Sequence, residues 1–413
     1  MFDRMKQEAR QLGKPEWAPM LHYTAELHER STMPPAGPFE YPWEGIGTGY
    51  CYGPAFGHWD IVHSTLDAIP VEPEHARHQL LNLIRLQGAN GLVPGVIWMS
   101  GEQVRFSMTI GHPPVWPFAV SDFCAAHGDN ELIATCYEPL LRQISWFERE
   151  RAADNGGFYY KDISTRRWES GVDDGVRFDN ATVGLLACMD ATSHVYALYA
   201  CAAQWATILG RVQDGETFNK KAEALAGFIQ QRLFDEETGF FHDSWAVGHP
   251  EVRHLSFEGM WPLVVGAATV AQAERVIEEN LLAPDKFYSA HPLATVVPGD
   301  GKYELRMWRG PAWNSMTYWA ARGCMLYRRH DAAKRLLEKA LDATAAQFDR
   351  TGTIWEFYHP HGGEQTEVAR KPYTEFNTPC RDYIGHNPLL AMARLWETAK
   401  RQLEEGILAF RRD

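Results

Sequence analysis

Apolar residues recur along most of this chain with the spacing of a helix face. Val195, Leu198, Ala202, Trp205 and Leu209 follow the i, i+3, i+4 rule, and Phe218, Ala222, Leu225 and Ile229 repeat it in the next segment. Comparable stripes run through 76–87, 131–148, 271–282, 332–348 and 386–404. Each stripe covers one side only, so each helix needs a neighbour to bury it. The pattern predicts an all-α protein.

The interruptions are regular as well. Four helical patterns end in a polar turn with glycine, followed by a short apolar or aromatic run. These are Asn90-Gly91-Leu92-Val93-Pro94, Asn155-Gly156-Gly157-Phe158-Tyr159, Thr238-Gly239-Phe240-Phe241-His242 and Thr351-Gly352-Thr353-Ile354-Trp355. Glycine just past the last helical residue stops a helix, and the run after it predicts a short strand. Helical hairpins closed repeatedly in this way predict a toroid with the turn segments gathered at one end. No Pro/Gly/Ser linker divides the chain, so one domain over 1–413 is expected. The stretches 93–117, 283–311 and 357–385 lack periodicity and exceed ordinary loop length, which marks them for binding or lid roles.

Composition narrows the class. With 413 residues, 45 % apolar and 12 % aromatic, the chain can bury a large core, and disorder, collagen and coiled coil are excluded. A net charge of −13 counts against nucleic acid or an anionic membrane as partner. Seven irregularly spaced cysteines favour a reducing compartment over a disulfide framework. Met1–Lys14 is polar, without the apolar centre of a signal peptide, and Met260–Ala273 is too short to span a bilayer. A cytoplasmic protein is expected; oligomeric state stays open.

No HExxH, CxxC, P-loop, GxGxxG after a strand, or GxSxG is present, and the 17 histidines are scattered. Neither a metal nor an organic cofactor is therefore expected. What remains is carboxylate beside aromatic at loop positions. Trp168-Glu169-Ser170-Gly171-Val172-Asp173-Asp174-Gly175-Val176-Arg177-Phe178-Asp179 crowds four acids and an arginine into a loop. Crowded carboxyls raise one another's pKa, and one kept protonated near neutrality can act as a general acid; a solvated acidic turn is the plainer reading. Ile354-Trp355-Glu356-Phe357-Tyr358-His359-Pro360 sets one acid among three aromatics and an isoleucine. Glu356 is then either a buried, paired structural group or a functional one, since burial without a purpose is costly.

Arg306-Met307-Trp308-Arg309-Gly310-Pro311-Ala312-Trp313-Asn314 puts aromatic faces next to hydrogen-bonding groups at the start of a helix, and Gly57-His58-Trp59-Asp60 with Gly111-His112-Pro113-Pro114-Val115-Trp116 adds more. Aromatic faces, carboxylates and amides together suit a sugar. Three readings fit: a glycosidase, a sugar epimerase or isomerase using histidines such as His242, His254, His291 or His359, and a non-catalytic carbohydrate-binding protein.

At these motifs the chain resembles the glycoside hydrolases of family 63 and their relatives the trehalases, roughly from Trp43 to Leu390. Trp308-Arg309-Gly310-Pro311-Ala312-Trp313 is the most specific match, to Trp-Arg-Gly-Pro-x-Trp. Trp168-Glu169-Ser170-Gly171-Val172-Asp173 is similar to Glu-Ser-Gly-x-Asp, Trp355-Glu356-Phe357-Tyr358 to Trp-Glu-x-Tyr, Trp59-Asp60 to the early Trp-Asp, and His112-Pro113-Pro114 to Gln-Pro-Pro. The resemblance implies an (α/α)6 barrel with short hairpins and long loops at the active-site end. It implies an inverting, exo-acting enzyme that releases an α-linked glucosyl or mannosyl unit from a small glycoside, and the chain is closest in size to bacterial glucosylglycerate and mannosylglycerate hydrolases. Asp173 is then the general acid and Glu356 the general base. Trp43, Trp59, Asp60, His112, Trp116, Trp168, Glu169, Arg177, Trp308, Arg309, Trp313, Asn314 and Trp355 are the expected sugar contacts. The motif departs after the acid, where Asp174-Gly175-Val176-Arg177 stands for the family's Asn-Ser-Pro-Arg, and before the last helix, where Ile384-Gly385-His386-Asn387 stands for Phe-Ser-Trp-Thr.

Overall fold

A computed structural model describes residues 2–100, 103–165, 168–181 and 184–410. The first half comprises α1 (Asp3–Ala9), α2 (Ala18–Ser31), α3 (His58–Ala68), α4 (Pro73–Arg85), α5 (Trp116–His127), α6 (Asn130–Glu150) and the short α7 (Asp162–Thr165). The second comprises α8 (Met189–Ile208), α9 (Val212–Arg232), α10 (Trp261–Val264), α11 (Val270–Val276), α12 (Asn314–Leu326), α13 (His330–Thr351) and α14 (Leu389–Phe410). Short strands lie between them: β1 (Thr32–Met33) with β2 (Trp43–Glu44), β3 (Ala55–Gly57) with β4 (Val96–Ser100) and β5 (Gln103–Phe106), and β6 (Phe234–Asp235) with β7 (Phe240–Phe241).

Burial sorts the helices into two rings. Every residue of α3 is buried, and so is nearly all of α12 up to Cys324, because both are covered on all sides. On α4 burial is partial: Glu74 and Arg85 are exposed and Arg77 and His78 half-buried, while Ala76, Leu80, Leu83 and Ile84 are buried. Helices α3, α5, α8, α10, α12 and α14 each touch the next, and α14 closes on α3. Outside them α4, α6, α9 and α13 pack on α3, α5, α8 and α12, and α2 packs on α14. Helix α11, continued by a π-helical turn at Ile277–Leu281, follows α10 in the chain and packs on β7. This is an (α/α)6 barrel.

The glycine turns behave unequally. Gly352 ends α13 at φ 64°, a left-handed conformation open to glycine, and its N–H reaches Phe348 O at 2.7 Å. Phe240 and Phe241 form β7 as the pattern predicts, whereas Phe158 and Trp355 make only single bridges, to Ala152 and Arg381. The stripe expected from 386 becomes helical only at Leu389. Asn387 uses its amide on the carbonyls of Trp355 (2.9 Å) and Tyr383 (2.8 Å), and Pro388 precedes the first turn.

The stretch 93–117, read as irregular, holds β4 and β5; positions 101 and 102 within it lie outside the described residues. Antiparallel pairing sets Gly57 against Val96, Ala55 against Trp98 and Trp98 against Arg105, which ties this hairpin to the start of α3. Two further long connections, 32–57 and 151–188, reach the same end of the barrel.

Candidate active site

A cavity of about 250 Å³ opens at the loop-bearing end. Its floor comes from inner-ring starts: Trp59 and Asp60 from the first turn of α3, and Trp313 as the cap of α12. Trp308 and Trp313 stack face to face at 3.7 Å, and Trp59 lies 5.8 Å from Trp308. Trp168 forms a wall, edge-on to Trp98 at 6.1 Å and to His112 at 5.4 Å. Flat apolar faces set against a few convergent polar groups are the makings of a sugar site.

Three carboxylates line this cavity: Asp60, Asp173 and Glu356. Asp60 is buried, accepts from the Tyr383 hydroxyl at 3.0 Å and lies 3.5 Å from His386 Nε2. A Cβ on Gly57 would come within 2.1 Å of Asp60 Oδ2, so the motif glycine makes room for the acid at its own helix start. Burial pushes the Asp60 carboxyl up to about 7; the Tyr383 bond opposes this, and the charges of Glu356 and Asp173 add to it.

Asp173 sits in the loop after α7, where its Oδ2 accepts from Lys371 Nζ at 2.8 Å. Gly171, two residues earlier, has φ 73°, and a Cβ there would meet the Trp59 ring at 2.5 Å. The tight Gly171 turn thus lets the acid loop lie directly on the α3 tryptophan. Glu356 is 2 % exposed; Arg370 Nε donates to both its oxygens at 3.0 and 2.7 Å, and the Cys380 N–H to Oε2 at 3.1 Å. Arg370 is held in turn by Tyr52, whose hydroxyl accepts from Nη1 at 3.2 Å.

His386 occupies the centre of the tryptophan group, with ring centroids 4.7 Å from both Trp59 and Trp313 and Nδ1 2.7 Å from Ser315 Oγ. Burial and the neighbouring His63 and His112 hold it well below the ordinary imidazole pKa, and burial lowers His112 to about 4. Both are therefore neutral near pH 7: His386 hydrogen-bonds to Ser315, and His112 packs edge-on to Trp168.

Of the residues singled out in the sequence, Trp59, Asp60, His112, Trp168, Asp173, Trp308, Trp313 and Glu356 come together in the cavity lining. The other seven do not line it, and each has a visible structural task. Trp43 is buried on Phe39 at 4.9 Å. Trp116 donates from Nε1 to Gln143 at 2.7 Å. Glu169 accepts twice from Arg151, at 2.7 Å each. Arg177 pairs with Asp190, with Asp243 at 2.7 Å and with Glu258 at 3.1 Å. Arg309 donates to the Asp174 carbonyl at 3.0 Å and to Asp179 at 3.2 Å, gripping the loop that carries Asp173. Asn314 accepts from His291 at 2.9 Å and donates to Asn387 at 2.9 Å. Trp355 donates to Thr351 Oγ1 at 3.0 Å and lies beneath Arg381. The histidines considered for epimerase chemistry, His242, His254, His291 and His359, are likewise absent from the lining.

Sequence reasoning missed Tyr50, Tyr52, Trp98, Arg105, Met307, Arg370, Lys371, Tyr383 and His386, all of which line the cavity. Two signals were available: Tyr50-Cys51-Tyr52 ahead of the Trp-Asp motif, and Arg370-Lys371-Pro372-Tyr373, a basic and aromatic run inside a stretch marked for binding. Away from the cavity, and among the described residues, Cys188, Asp190 and Asp243 offer ligand atoms within 4.8 Å of one another. Arg177 already sits on both of those aspartates, so a cation there would have to displace a guanidinium.

The fold and this cavity together define a glycoside hydrolase of the (α/α)6-barrel class. Residues 54–377 match the mannosylglycerate hydrolase MGH1-like glycoside hydrolase domain, and the chain belongs to that family. It is 22 % identical over 405 residues to mannosylglycerate hydrolase MGH1 of Selaginella moellendorffii, covering 80 % of this chain and 78 % of that protein. The structure of the family 63 mannosylglycerate hydrolase from Thermus thermophilus, solved with glucose, superposes with a TM-score of 0.68 at 20 % identity, over 91 % of this chain and 99 % of that one. Neutral trehalase of Saccharomyces cerevisiae gives 0.68 at 16 % identity, over 88 % of this chain and 76 % of that one. Among the described residues no helix is long and apolar enough to cross a membrane.

Proposed function

We propose that this glycoside hydrolase is an inverting, exo-acting enzyme that releases an α-linked glucosyl or mannosyl unit from a small glycoside. The observation that carries the reading is the shared lining of one cavity by Asp173, Glu356 and Asp60 above a tryptophan floor. Asp173, from the part-exposed loop, protonates the leaving oxygen. Glu356, fixed by Arg370 and the Cys380 N–H, takes the proton of a water that attacks the anomeric carbon from the opposite face. An inverting pair leaves roughly 6.5–9.5 Å between its carboxyls for that water. Asp60 and Tyr383 meet sugar hydroxyls, and Trp308 with Trp313 supports the ring face.

A cavity of about 250 Å³ is small for a ligand pocket, which favours a small glycoside over a polymer. Its cations, Arg105, Arg370 and Lys371, suit an acidic leaving group such as the glycerate in the names of the relatives. The 413 residues act as one catalytic domain, and seven free cysteines support a cytoplasmic setting.

The test is hydrolysis of a panel of α-glucosides and α-mannosides, glycerates included, by the native protein, Asp173→Asn and Glu356→Gln, with the first-formed anomer read by NMR. Both variants should lose about 100-fold or more in kcat, and the product should be the β-anomer. Activity kept in both variants, or an α-product, would overturn the assignment.

A further inference from the structure

Consecutive residues of one loop hold the two carboxylates in unlike ways. Arg370 and Glu356 form a closed pair, their side chains 3 % and 2 % exposed, and the Arg370 N–H is anchored on Asn377 O at 2.7 Å. Lys371 and Asp173 form an open pair, 31 % and 25 % exposed, beside Tyr373, which is 94 % exposed. Breaking a buried pair strands a charge and is strongly disfavoured. A part-exposed pair is worth little and exchanges readily.

The open pair poses a chemical problem. Asp173 Oδ2 accepts from the Lys371 ammonium at 2.8 Å and so faces that cation, yet a general acid must donate a proton to the leaving oxygen when the bond breaks. The arrangement seen is therefore a resting one, and something has to draw Lys371 away. A second cavity, of about 240 Å³, adjoins the first and shares Trp168, Asp173, Met307, Arg370 and Lys371 with it, but not Asp60 or Trp313. It lies past the acid from the sugar floor, which is where the leaving group of an exo-acting enzyme sits.

We infer that Lys371 is a specificity-determining positioning residue: an anionic leaving group takes its ammonium from Asp173, and Asp173 then takes up the proton it delivers. The inference rests on Asp173 being the acid, as proposed above. Once released, Asp173 gains one proton from solvent. That proton passes to the leaving oxygen as the glycosidic C–O bond breaks, with its electron pair on that oxygen. Water adds to the anomeric carbon and gives its proton to Glu356, which returns it to solvent and so balances the proton Asp173 took up. Asp173 ends ionised, and Lys371 returns to it when the acid product departs. Asp60, Tyr50 and His112 also face Asp173, and Tyr52 and Arg370 face Lys371. His112, kept neutral by burial, adds no competing positive charge.

The experiment compares α-hexosyl-glycerate with the matching α-hexosyl-glycerol, glucosyl and mannosyl forms in parallel, so that only the carboxylate differs. The native protein should prefer the glycerate by about 100-fold in kcat/KM, mostly through kcat. Lys371→Met should cut that preference below about tenfold and raise kcat on the glycerol compound above the native value, and Lys371→Arg should restore the preference. Equal losses on both compounds would reduce Lys371 to a structural residue. A raised KM for the glycerate alone would make it a simple anion contact. Either result, or no turnover of any of the four compounds by the native protein, overturns the inference. Asp173→Asn is run alongside: activity kept there defeats the acid assignment itself, whereas an inactive Asp173→Asn with an unchanged preference in Lys371→Met defeats only the role of Lys371.

Discussion

Arg370 Nε donates to both oxygens of Glu356, at 3.0 and 2.7 Å, in a pair almost wholly shielded from water. Removing one partner of such a pair leaves an uncompensated buried charge, at a cost of about 3–5 kcal/mol. Arg370→Met should therefore destabilise the fold by that amount and abolish hydrolysis. Adding Glu356→Gln to Arg370→Met should recover most of the stability while activity stays absent. Urea unfolding of the two singles and the double closes the cycle, and additive losses would show that the pair is not coupled.

Asp60 links site geometry to pH. Its carboxyl is raised from 3.8 to about 7, chiefly by burial, so between those values the folded protein keeps a proton that the unfolded chain has released. Stability therefore falls as pH rises from about 4 to about 7 and levels off above. Asp243 is raised to about 7 by burial as well and steepens the same limb. Asp60→Asn should flatten the decline between pH 5 and 8 by about 2–3 kcal/mol while removing activity. Denaturant midpoints at the two pH values measure it, and a slope equal to the native one would contradict the assignment.

The barrel was legible because α-helical periodicity is a local signal that survives in any context: the stripes at 195–209, 218–229 and 332–348 all fall on helices of the two rings. The acids in their motifs and the tryptophan floor were legible for another reason, since a polar or aromatic residue in a glycine-rich turn breaks the pattern around it. Arg177, Glu169 and Asn314 sit in the same motifs yet face buried partners, Asp243, Arg151 and Asn387. Adjacency in sequence does not say toward which side a loop residue turns. Lys371 and His386 were hidden for the converse reason. They reach the cavity through loops whose course depends on contacts such as that of His63 with the Gly385 carbonyl, 322 positions away.

Gly171 couples backbone conformation to the position of the proposed acid, Asp173. Its φ of 73° is strained for any other residue, and an added methyl would overlap the Trp59 ring at 2.5 Å. Gly171→Ala should cost about 1–3 kcal/mol. Because the displaced loop carries Asp173, kcat should also fall about 100-fold. Steady-state kinetics beside a thermal melt separate the two effects. A variant with lowered stability and native kcat would mean that the loop position does not matter to the acid.

Arg177 is the sharpest test of structural against substrate-binding duty in the acid motif. It is 3 % exposed, touches Asp190, Asp243 and Glu258, and lies outside the cavity lining. Three buried carboxylates around one guanidinium already push Asp190, Asp243 and Glu258 above their ordinary values, chiefly through burial. Arg177→Met would leave them with no cation, and a loss of about 3–5 kcal/mol follows from the uncompensated charge. Asp243→Asn in that background should return part of the loss, since it removes one of the stranded charges and keeps the side-chain shape. In whatever fraction stays folded, KM should remain within about twofold of native, because interactions outside the binding cavity do not enter uniform substrate binding. Stability can be read by urea unfolding and KM with active-site-normalised protein; a large rise in KM at native stability would put Arg177 back in contact with the sugar.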